Sequence, residues 1–115
     1  MASGPDKDTT AILRALKTDK RLIAFSYQKL TVTGGTAQAL TVPIGAVYAE
    51  VRVESATTTG IIMRYLLTGA APTTTDGMAL VYLDLFDIND GENVANFKVI
   101  AVSGSHTLHI QYYKN

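Results

Sequence analysis

The chain has 115 residues, with ten Lys and Arg balanced by ten Asp and Glu, 17% charged residues, and neither Cys nor Trp. One domain fits that length, with a core large enough to need no disulfide or metal staple. There is no apolar run of about 18 residues to span a bilayer, no secretory pattern in Met1–Asp6, and no thiol for a disulfide or thiolate metal site, as suits assembly in a reducing cytoplasm.

The charges are placed unevenly. Residues 1–29 carry six basic and three acidic side chains, a balance of +3, and residues 30–115 carry four and seven, a balance of −3. The chain therefore reads as a basic N-terminal arm, 1–29, holding a short helix and the start of the first strand, followed by a β-domain, 30–115. Asp8, Thr9 or Thr10 is placed to cap the helix. Ile12, Leu13 and Leu16 form one apolar stripe flanked by Arg14 and Lys17, and Lys20 and Arg21 suit the negative end of the helix dipole. A helix this short is marginal alone, so its stripe calls for a partner. Basic residues this dilute do not form a nucleic-acid footprint.

From Leu22 the apolar period changes to two. Residues 22–33 read as a strand with Ile23, Phe25, Tyr27 and Lys29 on one face, and Gly34-Gly35 signals a hairpin to a second strand over 36–42. Pro43-Ile44-Gly45 is a turn. Over 47–54, Val47, Ala49, Val51 and Val53 alternate with Tyr48, Glu50, Arg52 and Glu54, a strand with one wet face from which Tyr48 projects. Residues 61–67 are apolar on both faces except for Arg64, as in a central strand. A polar loop spans 68–77, and 78–88 reads as one strand with Val81, Leu83 and Leu85 sharing a face. Asn89-Asp90-Gly91 is a turn, 97–102 a strand, and in 107–113 Leu108, Ile110 and Tyr112 alternate with His109, Gln111 and Tyr113. About seven short strands with no interleaved helices read as an antiparallel β-sandwich.

No catalytic or metal motif emerges. His106 and His109 are three apart, and on a strand they face opposite sides and cannot chelate together. In Asp87-Ile88-Asn89-Asp90-Gly91 the Gly is one place early for an EF-hand and Lys98 stands where the closing Glu belongs. A calcium site of another kind would draw on Asp84, Asp87 and Asp90. Ser103-Gly104-Ser105-His106 sets Ser near His without the geometry of a nucleophile. The chain reads as a non-enzyme that needs no cofactor. Outward tyrosines remain as anchors for a protein or a sugar.

Several segments carry a resemblance: Leu40-Thr41-Val42-Pro43-Ile44-Gly45-Ala46, Tyr48-Ala49-Glu50-Val51, Met63-Arg64-Tyr65, Thr68-Gly69-Ala70-Ala71-Pro72-Thr73, Gly77-Met78-Ala79-Leu80, Phe97-Lys98-Val99-Ile100-Ala101 and His109-Ile110-Gln111-Tyr112-Tyr113. From about Leu30 to Tyr113 the chain resembles a family of small β-sandwich phage virion proteins. The resemblance implies a non-enzymatic component of the virion, assembled in the host cytoplasm. The expected role is a capsid decoration (cement) protein bound to the major capsid protein, with a tail or head–tail joining role as the neighbouring alternative. Partners are then protein, with neither nucleic acid nor membrane, and the chain is a homo-oligomer whose edge strands, 22–33 or the terminal one, pair between copies. The residues expected to touch partners are Ile12, Leu13, Arg14, Leu16, Lys17, Lys20, Arg21, Tyr48 and Tyr113. A chain begun at Leu30 is expected to stay folded and lose capsid binding. A carbohydrate-binding module using Tyr48, Tyr112 or Tyr113 is the alternative from another class.

Overall fold

The computed structural model describes residues 22–115; the expected helix and its residues Ile12, Leu13, Arg14, Leu16, Lys17, Lys20 and Arg21 lie outside the described residues. Among the described residues, eight strands and one helix follow in chain order: β1 (Ile23–Thr33), β2 (Gln38–Ala39), β3 (Tyr48–Glu54), β4 (Met63–Leu66), β5 (Met78–Leu80), β6 (Leu85–Asn89), α1 (Gly91–Asn96), β7 (Lys98–Ala101) and β8 (Ser105–Lys114). They form two four-stranded antiparallel sheets, ordered β1-β8-β3-β6 and β2-β7-β4-β5. The expected mainly β, two-sheet architecture is what the chain adopts.

Alternation builds the space between the sheets. Ala49, Val51 and Val53 of β3 and Leu108, Ile110 and Tyr112 of β8 point inward, against Met63 of β4 and Val99 and Ala101 of β7, all buried. Tyr65, Phe86 and Phe97 stack across the interior with ring centroids 4.9–6.2 Å apart, tying the second sheet to β6.

Five expectations are corrected. Gly34-Gly35 does not close a hairpin. The next strand is only Gln38–Ala39 and pairs with β7 in the other sheet. The Gln38 amide occupies the edge where a hairpin partner would bond: Thr33 N–H donates to its Oε1 (2.9 Å) and its Nε2 donates to the Thr31 carbonyl (3.0 Å). Second, a bulge between Ala24 and Ser26 breaks the single face of Ile23, Phe25, Tyr27 and Lys29, so Phe25 packs against the core while Tyr27 stays outside. Third, residues 78–88 are two strands in opposite sheets. The break is a turn in which Leu83 takes φ 67° and the Asp84 carboxylate accepts from Val81 N–H at 2.8 Å. Val81, Leu83 and Leu85 are consequently exposed, and Phe86 and Ile88 face the core. Fourth, Asn89-Asp90-Gly91 is no plain turn. Asp90 caps α1, its Oδ1 accepting from Glu92 N–H at 2.9 Å. The terminal strand is also no edge, because β8 lies between β1 and β3, whereas β1 is an edge.

Strand β1 pairs with β8 from Ile23↔Lys114 to Thr33↔Ser105. Residues 23–29 are thus part of the sheet, and a chain begun at Leu30 would strip β8 of its neighbour from His109 onward. The polar loop 68–77 forms as expected. Arg64 holds it to β4, donating from Nε to the Thr74 carbonyl (3.2 Å) and from Nη1 to the Gly77 carbonyl (2.9 Å).

Gly77 has φ 133°, and a Cβ there would meet the Pro72 and Arg64 Cβ atoms at 3.1 and 3.2 Å. Gly77→Ala is expected to lower stability by more than about 1 kcal/mol in chemical unfolding; an unmoved midpoint would contradict this packing. Burial pushes the Tyr112 hydroxyl up to about 12, and it donates to Gln28 Oε1 at 2.6 Å. Its protonated form is favoured in the fold, so that contribution is complete below the unfolded value of about 10 and is lost as pH rises toward 12. Tyr112→Phe should cost about 1 kcal/mol near pH 8, with the gap to the parent chain narrowing by pH 11. A gap independent of pH is the contrary outcome.

Candidate functional site

The outer face of the first sheet is a grid set by strand register. One row crosses it as Lys29, His109, Arg52 and Leu85 on β1, β8, β3 and β6; the next runs Tyr27, Gln111, Glu50 and Asp87; a third holds Tyr113, Tyr48 and Asn89. Period-two alternation sends these side chains outward as their neighbours fill the core. Tyr27, Glu50, Arg52, Leu85, His109 and Gln111 line a shallow depression of about 260 Å³.

At its rim three strands contribute to one polar chain. The His109 Nε2 lies 2.7 Å from Glu54 Oε1, and its Nδ1 lies 2.5 Å from the Tyr27 hydroxyl. A carboxylate only accepts, so Nε2 carries a proton and donates to Glu54, and in the neutral ring Nδ1 accepts from Tyr27. The Tyr27 and His109 rings are inclined by 17° with centroids 6.0 Å apart. An end-on O–H···N contact needs about that separation. The rings therefore lie edge to edge near a common plane, not one above the other, and make a flat surface two rings wide. The hydrogen bond from His109, then its charge when protonated, then Lys29 hold the exposed Glu54 carboxyl below the usual range.

Farther along the face, Gln111 Nε2 donates to the Tyr113 hydroxyl (3.0 Å), which donates to Glu50 Oε1 (3.3 Å). Tyr113 is half-buried and tied into the sheet surface. Tyr48 does not project into water: it is 2% exposed, with the Tyr113 ring edge-on at 5.3 Å. Burial, then the Asp87 carboxylate beside it, pushes its hydroxyl well above the ordinary tyrosine value. Tyr112 is buried in the core. The Arg52 guanidinium is exposed and bonded to no described residue.

His106 is 5% exposed, faces away from His109 as expected, and is saturated. Its Nε2 donates to the Ser103 carbonyl (2.7 Å), and its Nδ1 accepts from the Ser55 hydroxyl (2.6 Å). The nearby Ser103 thus contributes backbone, not a nucleophile. Asp84 and Asp90 are spent on the 81–84 turn and the α1 cap, and no three His, Asp or Glu side chains converge as a metal site among the described residues.

Sequence reasoning placed His109 and Glu54 on outward faces but did not join them to Tyr27. The contacts span separations of 82 and 55 residues, and the period-two alternation of β1, β3 and β8 was the signal available. Carboxyl-detected NMR titration should find Glu54 ionising below the ordinary Glu range, moving up to it in His109→Ala and staying low in Tyr27→Phe. An unshifted Glu54 in His109→Ala would show that the imidazole is not its partner. No protein family, curated protein or solved structure matches the chain.

Proposed function

We propose that this chain is a non-enzymatic structural protein of a phage virion, a decoration protein that seats on the lattice of the major capsid protein and stabilises the head. The observation that carries this reading is the apolar side of the sandwich. Met78, Val81, Leu83 and Leu85 are 41–59% exposed and follow one another along β5, the 81–84 turn and β6, the edge strands of the two sheets. Large apolar side chains standing in water along the sandwich edges, in a chain of zero formal net charge, are suited to being covered by protein. A partner that binds only the assembled lattice adds its free energy to that state. The basic arm supports the same reading. Ile12, Leu13 and Leu16 with Arg14, Lys17, Lys20 and Arg21 supply apolar side chains and positive charge for a capsid subunit or for the acidic 30–115 domain of a sister copy. A tail or joining role would use the same surfaces. A carbohydrate module built on Tyr48 or Tyr112 loses its support, because both rings are buried.

The test is co-sedimentation of the full chain with purified capsid shells. The chain is expected to pellet with shells, and Leu83→Glu with Leu85→Glu should weaken binding at least about tenfold, or 1.4 kcal/mol, without loss of folding. Arg14→Glu with Lys17→Glu should weaken it further. Failure to pellet, or undiminished binding by the Leu83/Leu85 variant, overturns the reading.

A further inference from the structure

The proposed capsid contact uses the β5–β6 side and the basic arm. The depression over β1, β8, β3 and β6 adjoins that side at Leu85, and its chemistry does not depend on a capsid partner. Its composition is selective. The coplanar Tyr27 and His109 rings offer a flat apolar surface, held in place by the Glu54 carboxylate behind the imidazole. Tyr27 is 60% exposed, so that surface is open to a ligand. Beside it stand a fork of donors bonded to no described residue, Arg52, an amide, Gln111, and a carboxylate, Glu50, with Leu85 closing the far side. The volume, about 260 Å³, lies just under the range of roughly 300–1,000 Å³ for sites that enclose drug-sized molecules, which suits a single ring seated in an open trough.

The charges narrow the class. Lys29 and Arg52 stand among Glu50, Glu54 and Asp87, so the face presents no cationic field for an anion. Donors and carboxylate acceptors interleaved around an aromatic surface match vicinal hydroxyls on a ring with an apolar C–H face. We propose that the outer face of the first sheet binds a neutral pyranose ring, stacked on Tyr27 and His109 and hydrogen-bonded by Arg52, Glu50 and Gln111. All five come from β-strands, so the site is rigid before the ligand arrives, which lowers the ordering cost of binding.

NMR titration of the full chain with maltohexaose, cellohexaose, mannohexaose and galactohexaose tests this. Shift changes are expected with at least one sugar, confined to residues around 27, 50, 52, 109 and 111. Tyr27→Ala and Arg52→Ala should each weaken binding at least tenfold with unchanged thermal midpoints, whereas Tyr27→Phe, which keeps the ring and removes only its hydroxyl, should stay within about threefold. Absence of shifts with all four sugars, equal binding by Tyr27→Ala, or stronger salt-sensitive binding of oligogalacturonate than of any neutral sugar overturns the proposal.

Discussion

Strand β8 is paired with β1 from Ser105 to Lys114 and with β3 from Thr107 to Tyr113, and that double pairing fixes which way its side chains point. A slip of one residue would drive His109, Gln111 and Tyr113 into the core and put Leu108, Ile110 and Tyr112 in water. The packed interior and the outer polar face are therefore one constraint seen from two sides. Tyr112 shows the coupling: its ring completes the core and its hydroxyl finds Gln28 on β1, whose side chain also accepts from Thr41 N–H.

Polar groups inside or against the sandwich are matched to partners by the same logic. His106, buried, is held between a serine hydroxyl and a backbone carbonyl, so both ring nitrogens are satisfied. His109, on the opposite face of the same strand, is held between a tyrosine and a glutamate. The two histidines have the same number of partners and opposite surroundings. One belongs to the fold, the other to a surface with open space beside it.

The two proposed binding surfaces differ in chemistry. The β5–β6 side is apolar and continuous with a backbone edge, as suits a protein partner. The outer face of the first sheet is aromatic and hydrogen-bonding, as suits a small hydroxylated ring. Leu85 sits where they meet, next to Arg52 in the register, so occupancy of one surface bears on access to the other.

Local pattern was enough to place β3, β4, β7 and β8, the turn at Pro43-Ile44-Gly45 and the long loop before β5, because alternation and turn chemistry act between near neighbours in the chain. It was also enough to set His106 and His109 on opposite faces. It misread 78–88, where Val81, Leu83 and Leu85 keep the alternation running through a turn made by Asp84 and a left-handed Leu83, and it took Asp90 for a turn residue when the same side chain caps a helix. It sent Tyr48 outward correctly, yet the ring is buried, since what covers an outward residue is settled by neighbours remote in sequence. Which sheet each strand joins, how the Gln38 amide replaces a hairpin partner, and the meeting of Tyr27, Glu54 and His109 all rest on the tertiary fold, most of them on pairings between segments tens of residues apart. Alternation says which side of a strand a residue takes; only the tertiary pairing says which residues stand beside it.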